Sequence, residues 1–271
     1  MNLKSLAFLL TSILLISCNN KQESHTSTDA IVSFQNEGHE FVYNMVQKVG
    51  NYQELANKKD VSYTYTYKTP DNKTDVSIEK YLFDGEYSYG HYTQHERTLS
   101  QLEGPIEQGY NGQEYWLKNN GEIISDSSLL KRVAFNRPTN YYWFCMMPKL
   151  LDPGLTYEYL GEKELSGKTY QIVKVSFEEP KDKPKDIYQL YINKETSLVD
   201  QFLFTVAEYG MMETPLLMKL AYQEVDGLLI PNKRKYKRST WEAEESDKPW
   251  IYVTWSDIQF GTGITKEDFN K

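Results

Sequence analysis

Few residues in this sequence have types and spacing suited to chemistry, and the histidines are the first of them. His91 and His95 lie four positions apart, and Glu96 follows directly. On a helix this spacing would let both imidazoles bind one metal ion. The surrounding residues alternate as in a strand, however, and the chain contains no HExxH sequence. We therefore expect surface or partly buried histidines, with no metal and no cofactor.

The motifs of common enzyme classes are absent from the sequence. It has no GxSxG elbow, no glycine-rich phosphate loop and no CxxC pair. Its many Asp and Glu residues show no spacing that would distinguish a catalytic pair from a solvated surface. Cys145 has apolar neighbours, which should raise its pKa and leave it unreactive. We therefore expect no catalytic residues, and a hydrolase built from dispersed carboxylates is the weakest alternative.

The best candidate for a binding site is an apolar segment in mid-chain. Residues 141–151 are apolar nearly all round, and Pro138 is placed to open a helix there. Such a helix is seldom left in water, so it should lie against a sheet or close a cavity. The alternative is a helix that only covers a packed core. The predicted ligand-binding residues are Tyr141, Tyr142, Trp143, Phe144, Met146, Met147, Leu150 and Leu151.

A dense basic run lies closer to the carboxyl terminus. It consists of Lys233, Arg234, Lys235, Lys237 and Arg238. In a strand, alternation would send the three lysines to one face and the two arginines to the other. Charge on both faces favours a strand near a sheet edge, where lysine discourages unwanted pairing. Contact with anionic lipid headgroups is the alternative.

A sheet must position these segments, because strand patterns dominate the chain. Three or four consecutive runs between residues 157 and 207 alternate in polarity and are joined by short turns, which predicts an antiparallel meander. A change of phase near Ser256-Asp257 predicts a β-bulge. We count about eleven strands, too many for a flat sheet, so strong curling is expected. Five dipeptides predict hairpin turns, namely Asp84-Gly85, Asn111-Gly112, Asn120-Gly121, Ser166-Gly167 and Asp226-Gly227.

Helical patterns occur in two parts of the chain. Residues 37–50 carry apolar side chains at spacings of three and four, and a second short turn over residues 52–57 follows. In mid-chain, Asp126 or Ser127 would cap a helix over residues 128–134, separate from the helix over residues 141–151. The predicted fold class is therefore mainly β (α+β). It is a strongly curved antiparallel sheet, or half-open barrel, with an N-terminal helix and mid-chain helices as a lid.

Charge and composition narrow the range of partners. The 271 residues include 30 Lys and Arg against 38 Asp and Glu, a net charge of −8. An acidic chain of this kind is a poor binder of nucleic acid. The 22 tyrosines, 11 phenylalanines and five tryptophans suit strands that are apolar on one side.

The amino-terminal residues have the pattern of a targeting segment. Lys4 supplies a positive charge, and a short apolar stretch ends in Leu15-Ile16-Ser17-Cys18. These four residues resemble the lipobox of bacterial lipoproteins, in which the cysteine is acylated and anchors the protein to a membrane. Asn19 follows, and the resemblance then implies the outer membrane, with the periplasmic and surface faces both open. The predicted organisation is a signal peptide (1–17), a flexible tether that begins at lipidated Cys18 (18–36) and a single β-rich domain (37–271).

Three groups of residues in and before the meander resemble a family of Bacteroidota lipoproteins of unknown function. They are Asp152-Pro153-Gly154 with Tyr157-Glu158-Tyr159-Leu160-Gly161, Gly167-Lys168 with Val173-Lys174-Val175, and Tyr191-Ile192 with Glu195-Thr196. The order of helix, long meander and inserted helices is also similar to the LolA/LolB half-barrel. That resemblance implies a concave sheet, closed by helices, that binds acyl chains or other hydrophobic ligands.

Together these patterns predict a lipid-anchored, non-enzymatic protein of the cell envelope. It would hold a hydrophobic or amphiphilic ligand, such as a lipid or a lipoprotein acyl chain, beneath residues 141–151. The alternative is a scaffold whose exposed tyrosines and tryptophans bind glycan or a partner protein. Rings on the concave side of the sheet would favour the first hypothesis, and a planar row of exposed rings would favour the second.

Overall fold

The computed structural model describes residues 33–178 and 185–271, so the predicted signal peptide and Cys18 lie outside the described residues. Within those ranges the α-helices are α1 (Glu37–Val49), α2 (Tyr52–Asn57) and α3 (Ser127–Lys149), and short 3₁₀ helices cover Ala207–Tyr209 and Lys266–Phe269. The strands are β1 (Asp60–Lys68), β2 (Thr74–Leu82), β3 (Tyr87–His95), β4 (Ile106–Tyr110), β5 (Tyr115–Asn119), β6 (Glu122–Ile123), β7 (Leu155–Leu165), β8 (Lys168–Phe177), β9 (Tyr188–Asn193), β10 (Val199–Val206), β11 (Met211–Val225), β12 (Leu228–Arg238) and β13 (Ile251–Phe260).

All thirteen of these strands belong to one antiparallel sheet. Their order from edge to edge is β6-β5-β4-β3-β2-β1-β13-β12-β11-β10-β9-β8-β7. In the described part of the chain β6 and β7 have no outer neighbour, so the sheet is open and not closed into a barrel. The predicted open antiparallel sheet is confirmed. The prediction of about eleven strands was too low, because strands as short as β6 show no clear alternation.

The sheet curls around α3, which contacts strands that a flat sheet would hold far apart. Arg137 of α3 bonds Glu79 of β2, and Trp143 of α3 packs on Phe202 and Phe204 of β10. Five strand spacings separate β2 from β10, about 24 Å in a flat sheet. The two helix residues are only about 9 Å apart along the axis. The predicted strong curvature is therefore confirmed, with α3 on the concave side.

One continuous helix, α3, stands where two helices were predicted. Asp126 caps it, as predicted, but it runs through Pro138 and ends at Lys149, so Leu150 and Leu151 lie beyond its end. An internal proline removes a backbone hydrogen bond at a cost of about 3 kcal/mol, which is why a break was predicted. Packing of both halves of α3 on the sheet overrides that cost. Within the described ranges, no helix combines the length and the apolar character needed to cross a bilayer.

Turn and bulge residues take their predicted places. All five dipeptides connect neighbouring antiparallel strands, and Asn120, Ser166 and Asp226 each have positive φ before a glycine with positive φ. At the β1–β13 pairing, Asp257 and Ile258 together oppose a single β1 residue. The predicted β-bulge is therefore confirmed, as is the helix predicted over residues 37–50.

The basic strand lies in the middle of the sheet, so the prediction of a near-edge strand was wrong. β12 pairs with β11 on one side and with β13 on the other. Its charges are accommodated by aromatic rings on both faces. The Lys235 and Lys237 ammonium groups lie 4.6 and 4.3 Å from the centroid of the Trp250 ring on the convex face. Arg234 points to the concave face, where it meets other tryptophans.

Candidate ligand-binding cavity

A cavity of about 460 Å³ lies between α3 and the concave face of the sheet. Its volume falls within the range of small-molecule sites, roughly 300–1,000 Å³. Strands β1, β9, β10, β11, β12 and β13 form one wall, and α3 forms the other. Aromatic side chains dominate the wall that the sheet provides, and among them are Tyr63, Tyr65, Tyr67, Tyr188, Tyr236 and Trp255.

The cavity opens to solvent beside the first half of α3. Three of its lining residues, Pro138, Glu208 and Tyr209, are exposed. The Tyr209 ring packs on Phe135 of α3 with centroids 5.3 Å apart. Its hydroxyl accepts a hydrogen bond of 2.7 Å from Arg132 Nη1 of α3. These two contacts hold the connection between β10 and β11 against α3 at the mouth of the cavity.

Arg234 is a buried cation in the wall of the cavity. The residue is only 7% exposed, and its guanidinium carbon lies 3.8 Å from the centroid of the Trp255 ring and 5.6 Å from that of Trp143. Among the described residues no carboxylate forms an ion pair with it, and its buried Nε has no hydrogen-bond acceptor. Burial lowers the pKa of Arg234 to about 10, so the side chain still carries its charge at neutral pH.

Arg97 also lines the cavity, but a carboxylate neutralises it. Its Nε lies 3.2 Å from Oδ2 of Asp75, whose side chain is fully buried. Asp75 also accepts a hydrogen bond of 2.7 Å from the Thr98 hydroxyl, which fixes the carboxylate in place. The Arg97 guanidinium packs over the Tyr67 ring, with its carbon 4.1 Å from the centroid. Arg97 therefore adds a hydrogen-bonding group to the cavity but little net charge.

Two other carboxylates lie on the side of the cavity formed by the β10–β11 connection. Glu208 is exposed at the mouth. Asp186 accepts a hydrogen bond of 2.7 Å from the backbone N–H of Ala207, and burial raises its pKa. Both carboxylates are thus associated with the mouth and its adjoining loop. They form no ion pair with Arg234.

Tyrosine hydroxyls place polar groups within the aromatic wall. The Tyr67 and Tyr236 hydroxyls are hydrogen-bonded to each other across the sheet. Burial raises the pKa of Tyr65, and it raises the pKa of Tyr142 on α3 to about 12. Both hydroxyls are therefore protonated at neutral pH and can donate a hydrogen bond. The wall as a whole suits a largely apolar ligand that has a small number of polar atoms.

Two of the eight predicted ligand-binding residues line the cavity. They are Tyr142 and Trp143 of α3. The other six pack elsewhere, because α1 and other strands cover the remaining faces of this part of the helix. Tyr141, Phe144, Met146, Met147 and Leu150 are buried in the protein core, and Leu151 is partly buried beside them.

The sheet residues of the cavity were not predicted from the sequence. Alternation did place Arg234 and Arg238 on one face of their strand, with the lysines on the other, and Tyr236 of the cavity lies on the arginine face. Because the strand was predicted to lie near the sheet edge, neither of its faces was predicted to line a cavity. Arg97 gave no signal of its own, because it lies in the irregular connection between β3 and β4.

The other candidate residues lie apart from this cavity. His91 and His95 are partly exposed on β3. A bulge at Thr93 leaves them three rungs apart, opposite exposed Ile78 and buried Asp75, so they lie on opposite faces of the sheet and do not share one metal ion. The described residues contain no group of three or more His, Cys, Asp or Glu side chains that could hold a metal. Cys145 is fully buried on α3, and burial raises its pKa. Its lack of reactivity stays a prediction.

Comparisons with known proteins give one family match and several similar folds. No curated protein matches the sequence. The chain is similar to a DUF1329 family protein from Desulfovibrio piger, with 14% identity, a TM-score of 0.49, and coverage of 86% of this chain and 95% of that one. It is also similar to a domain assigned to outer-membrane lipoprotein sorting from Vibrio parahaemolyticus, with 11% identity, a TM-score of 0.47, and coverage of 85% of this chain and 95% of that one. A third similar structure is a LolA superfamily protein from Nitrosomonas europaea, with 12% identity, a TM-score of 0.46, and coverage of 82% of this chain and 98% of that one. Residues 106–228 match a family of unknown function, DUF6503.

Proposed function

We propose that this chain is a lipid-anchored protein of the bacterial outer membrane that holds a hydrophobic or amphiphilic ligand in the cavity beneath α3. The proposed role is binding rather than catalysis. The observation that supports it most directly is the cavity itself, about 460 Å³ in volume, walled by aromatic rings and open at one mouth. A cavity of this kind is the usual form of a small-molecule site.

The distribution of aromatic rings favours an internal ligand over a glycan or protein scaffold. Seven tyrosines and two tryptophans line the cavity. In contrast, Tyr209 and Tyr252 are the only exposed tyrosine, tryptophan or phenylalanine side chains in the described ranges. Tyr209 already belongs to the mouth of the cavity. A flat sugar- or protein-binding surface would need several exposed rings side by side.

The polar groups of the cavity also favour binding. The lining, as far as the structure describes it, contains no histidine, cysteine or serine. Asp186, which lies just before β9, accepts a hydrogen bond from the backbone of Ala207 after β10, and Arg97 is paired with Asp75. Nucleophilic catalysis needs a nucleophile and a base within hydrogen-bonding reach. The Thr205 hydroxyl lies 3.4 Å from Oδ1 of Asp186, but it is buried and also accepts a hydrogen bond of 2.8 Å from the backbone N–H of Ile187, so this pair holds the backbone beside β9 in place.

Native mass spectrometry of the protein purified from its own membrane tests the proposal. We expect an adduct of defined mass that organic extraction removes. Leu216 lines the cavity, so Leu216→Trp should fill the space and abolish the adduct. The matched control is Leu160→Trp at an exposed position, which should keep it. An adduct that persists in Leu216→Trp, or a wild-type protein that binds no lipid, would contradict the proposal.

A further inference from the structure

We propose that the ligand carries one anionic group, a carboxylate or a phosphate, and that Arg234 binds this group inside the cavity. The inference rests on the proposed function, since it names the chemistry of the ligand that the same cavity holds. Its starting point is the buried charge of Arg234, which has no carboxylate partner among the described residues. Arginine is almost never fully buried in a protein without a partner.

The rings around Arg234 leave its hydrogen-bonding edge free. Trp255 and Trp143 approach the guanidinium within cation–π range, a contact that stabilises the charge through the faces of the rings. A guanidinium has five N–H donors in its own plane, and a stacked ring satisfies none of them. Among the described residues Arg234 makes no hydrogen bond to a carboxylate. An oxyanion in the cavity would supply both the missing charge and the missing acceptors.

The other charged groups that face the cavity already have partners or lie at its mouth. Arg97 is paired with Asp75, and Arg132 donates to the Tyr209 hydroxyl. Glu208 is exposed, and Asp186 is bonded to the Ala207 backbone. Among the described lining residues, Arg234 is therefore the buried cation whose charge has no carboxylate partner.

The rest of the wall requires that the anionic group be attached to an apolar body. Phe204, Met218 and Val253 line the cavity together with the tryptophans that stack on Arg234. The chain as a whole carries a net charge of −8, so its overall field does not attract a small free anion. Burial of apolar surface would supply most of the affinity, and Arg234 would select for the headgroup. An amphiphile with a single carboxylate or phosphate has both features.

Quenching of tryptophan fluorescence by a brominated ligand can test this directly. Trp143 and Trp255, two of the five tryptophans, line the cavity and would lie beside a bound chain. The probes are 9,10-dibromostearic acid and its methyl ester, which share the brominated chain and differ in headgroup charge and by one methyl group. For the full chain we expect the acid to bind about 10- to 100-fold more tightly than the ester, the range of a charge-assisted hydrogen bond.

Variants of two neighbouring residues separate the role of Arg234 from general charge effects. Arg234→Met should weaken binding of the acid about 10- to 100-fold, to the level of the ester, and leave binding of the ester unchanged. Lys233→Met removes the same charge one residue away, on an exposed side chain of the outer face, and should keep the preference. Competition by octadecyl phosphate and by stearate then tells a phosphate from a carboxylate. Octadecylamine should not compete.

The outcomes distinguish this inference from the proposed function. Equal binding of acid and ester by the wild-type protein would overturn the anionic ligand and leave the cavity proposal standing. Quenching by neither probe would contradict the cavity proposal itself. Equal weakening of acid and ester by Arg234→Met would mean that Arg234 only supports the wall, which also overturns the inference. The wild-type comparison needs no variant, so the test holds even if Arg234→Met does not fold.

Discussion

Two arginines of this protein are buried to a similar degree but have opposite surroundings. The Arg137 side chain, on α3, is fully buried, and its Nη1 lies 2.9 Å from Oε2 of Glu79. Glu79 also accepts hydrogen bonds of 2.7 Å from the Ser77 hydroxyl and 3.0 Å from the Tyr81 hydroxyl. Arg234, on β12, has aromatic rings on its faces but no carboxylate in the described structure. One buried charge is compensated within the fold, and the other faces a cavity.

The difference separates a structural charge from a functional one. The fold accommodates Arg137 closely, since the backbone opposite it carries a glycine and leaves no room for a larger side chain. A Cβ atom on Gly90 of β3 would lie 2.6 Å from Arg137 Nη1. In the part of the chain that the structure describes, no carboxylate faces the hydrogen-bonding edge of Arg234. Because a buried charge without a partner costs free energy, its presence in a cavity wall is best explained by a ligand that pairs with it.

Removal of the compensated arginine should have the largest effect on stability. Arg137→Met leaves Glu79 buried and charged with no counter-charge, at a cost of about 3–5 kcal/mol in the free energy of unfolding. Urea denaturation followed by circular dichroism measures this value. The double variant Glu79→Gln, Arg137→Met should recover much of the loss, because no unpaired charge remains. A loss below about 1 kcal/mol in the single variant would contradict the structural role.

Crowding of the same ion pair should have a smaller effect. Gly90→Ala would place a methyl group against both Arg137 Nη1 and Glu79 Oε1, at 2.6 and 2.8 Å. We expect a loss of about 1–3 kcal/mol in the free energy of unfolding, the usual range for an overpacked core. The same substitution in the Arg137→Met background should cost less, because the closer of the two contacts is gone. Equal costs in the two backgrounds would show that the clash is with something else.

Alkaline pH should lower the free energy of unfolding through buried tyrosines near Arg137 and in the cavity. Burial raises the pKa of Tyr92, which accepts a hydrogen bond from Arg137, and of Tyr142, which lines the cavity, to about 12. Between pH 10 and 12 the unfolded chain loses these protons while the folded protein keeps them. The folded state then binds more protons, so its stability falls as pH rises. Each tyrosine should contribute about 1.4 kcal/mol per pH unit.

Tyrosine-to-phenylalanine variants check that contribution. The slope of unfolding free energy against pH, measured by urea denaturation between pH 10 and 12, should become shallower in Tyr142→Phe and in Tyr92→Phe. Tyr252, which is exposed, provides the control, and Tyr252→Phe should leave the slope unchanged. An unchanged slope in Tyr142→Phe would mean that this hydroxyl ionises as readily in the folded protein as in the unfolded chain.

Local patterns in the sequence were sufficient to predict most of the sheet. Pairs such as Ser166-Gly167 and Asp226-Gly227 need positive φ at both positions, so each one marks a hairpin without reference to the rest of the chain. The phase change at Asp257 is likewise visible in a single strand. α3 was different, because its passage through Pro138 depends on packing against distant strands. The proline removes a hydrogen bond within the helix, which a local pattern shows, whereas the packing that offsets this loss involves strands far away in the chain.

The cavity was only partly predictable for the same reason. The apolar character of residues 141–151 was visible, and it led to Tyr142 and Trp143. The pairing of Tyr65 on β1 with Trp255 on β13 joins residues far apart in the chain, and no local pattern specifies it. Alternation tells which side chains share a face of a strand, but not which face becomes concave. Arg234 therefore could be assigned to a face but not to a cavity.

The unpaired arginine should be the least important of these residues for stability. Arg234→Met exchanges a buried charge for an apolar side chain that fits among tryptophans, so the lost cation–π contacts and the relieved desolvation oppose each other. We expect the free energy of unfolding of the ligand-free protein to change by less than about 1 kcal/mol, against about 3–5 kcal/mol for Arg137→Met. Urea denaturation of delipidated protein gives both values under the same conditions.

A loss near that of Arg137→Met would show that Arg234 holds the wall together, and the contrast between the two arginines would disappear. A small change, together with loss of the preference for an acid over its ester, is expected of a residue that the fold does not need and the ligand does.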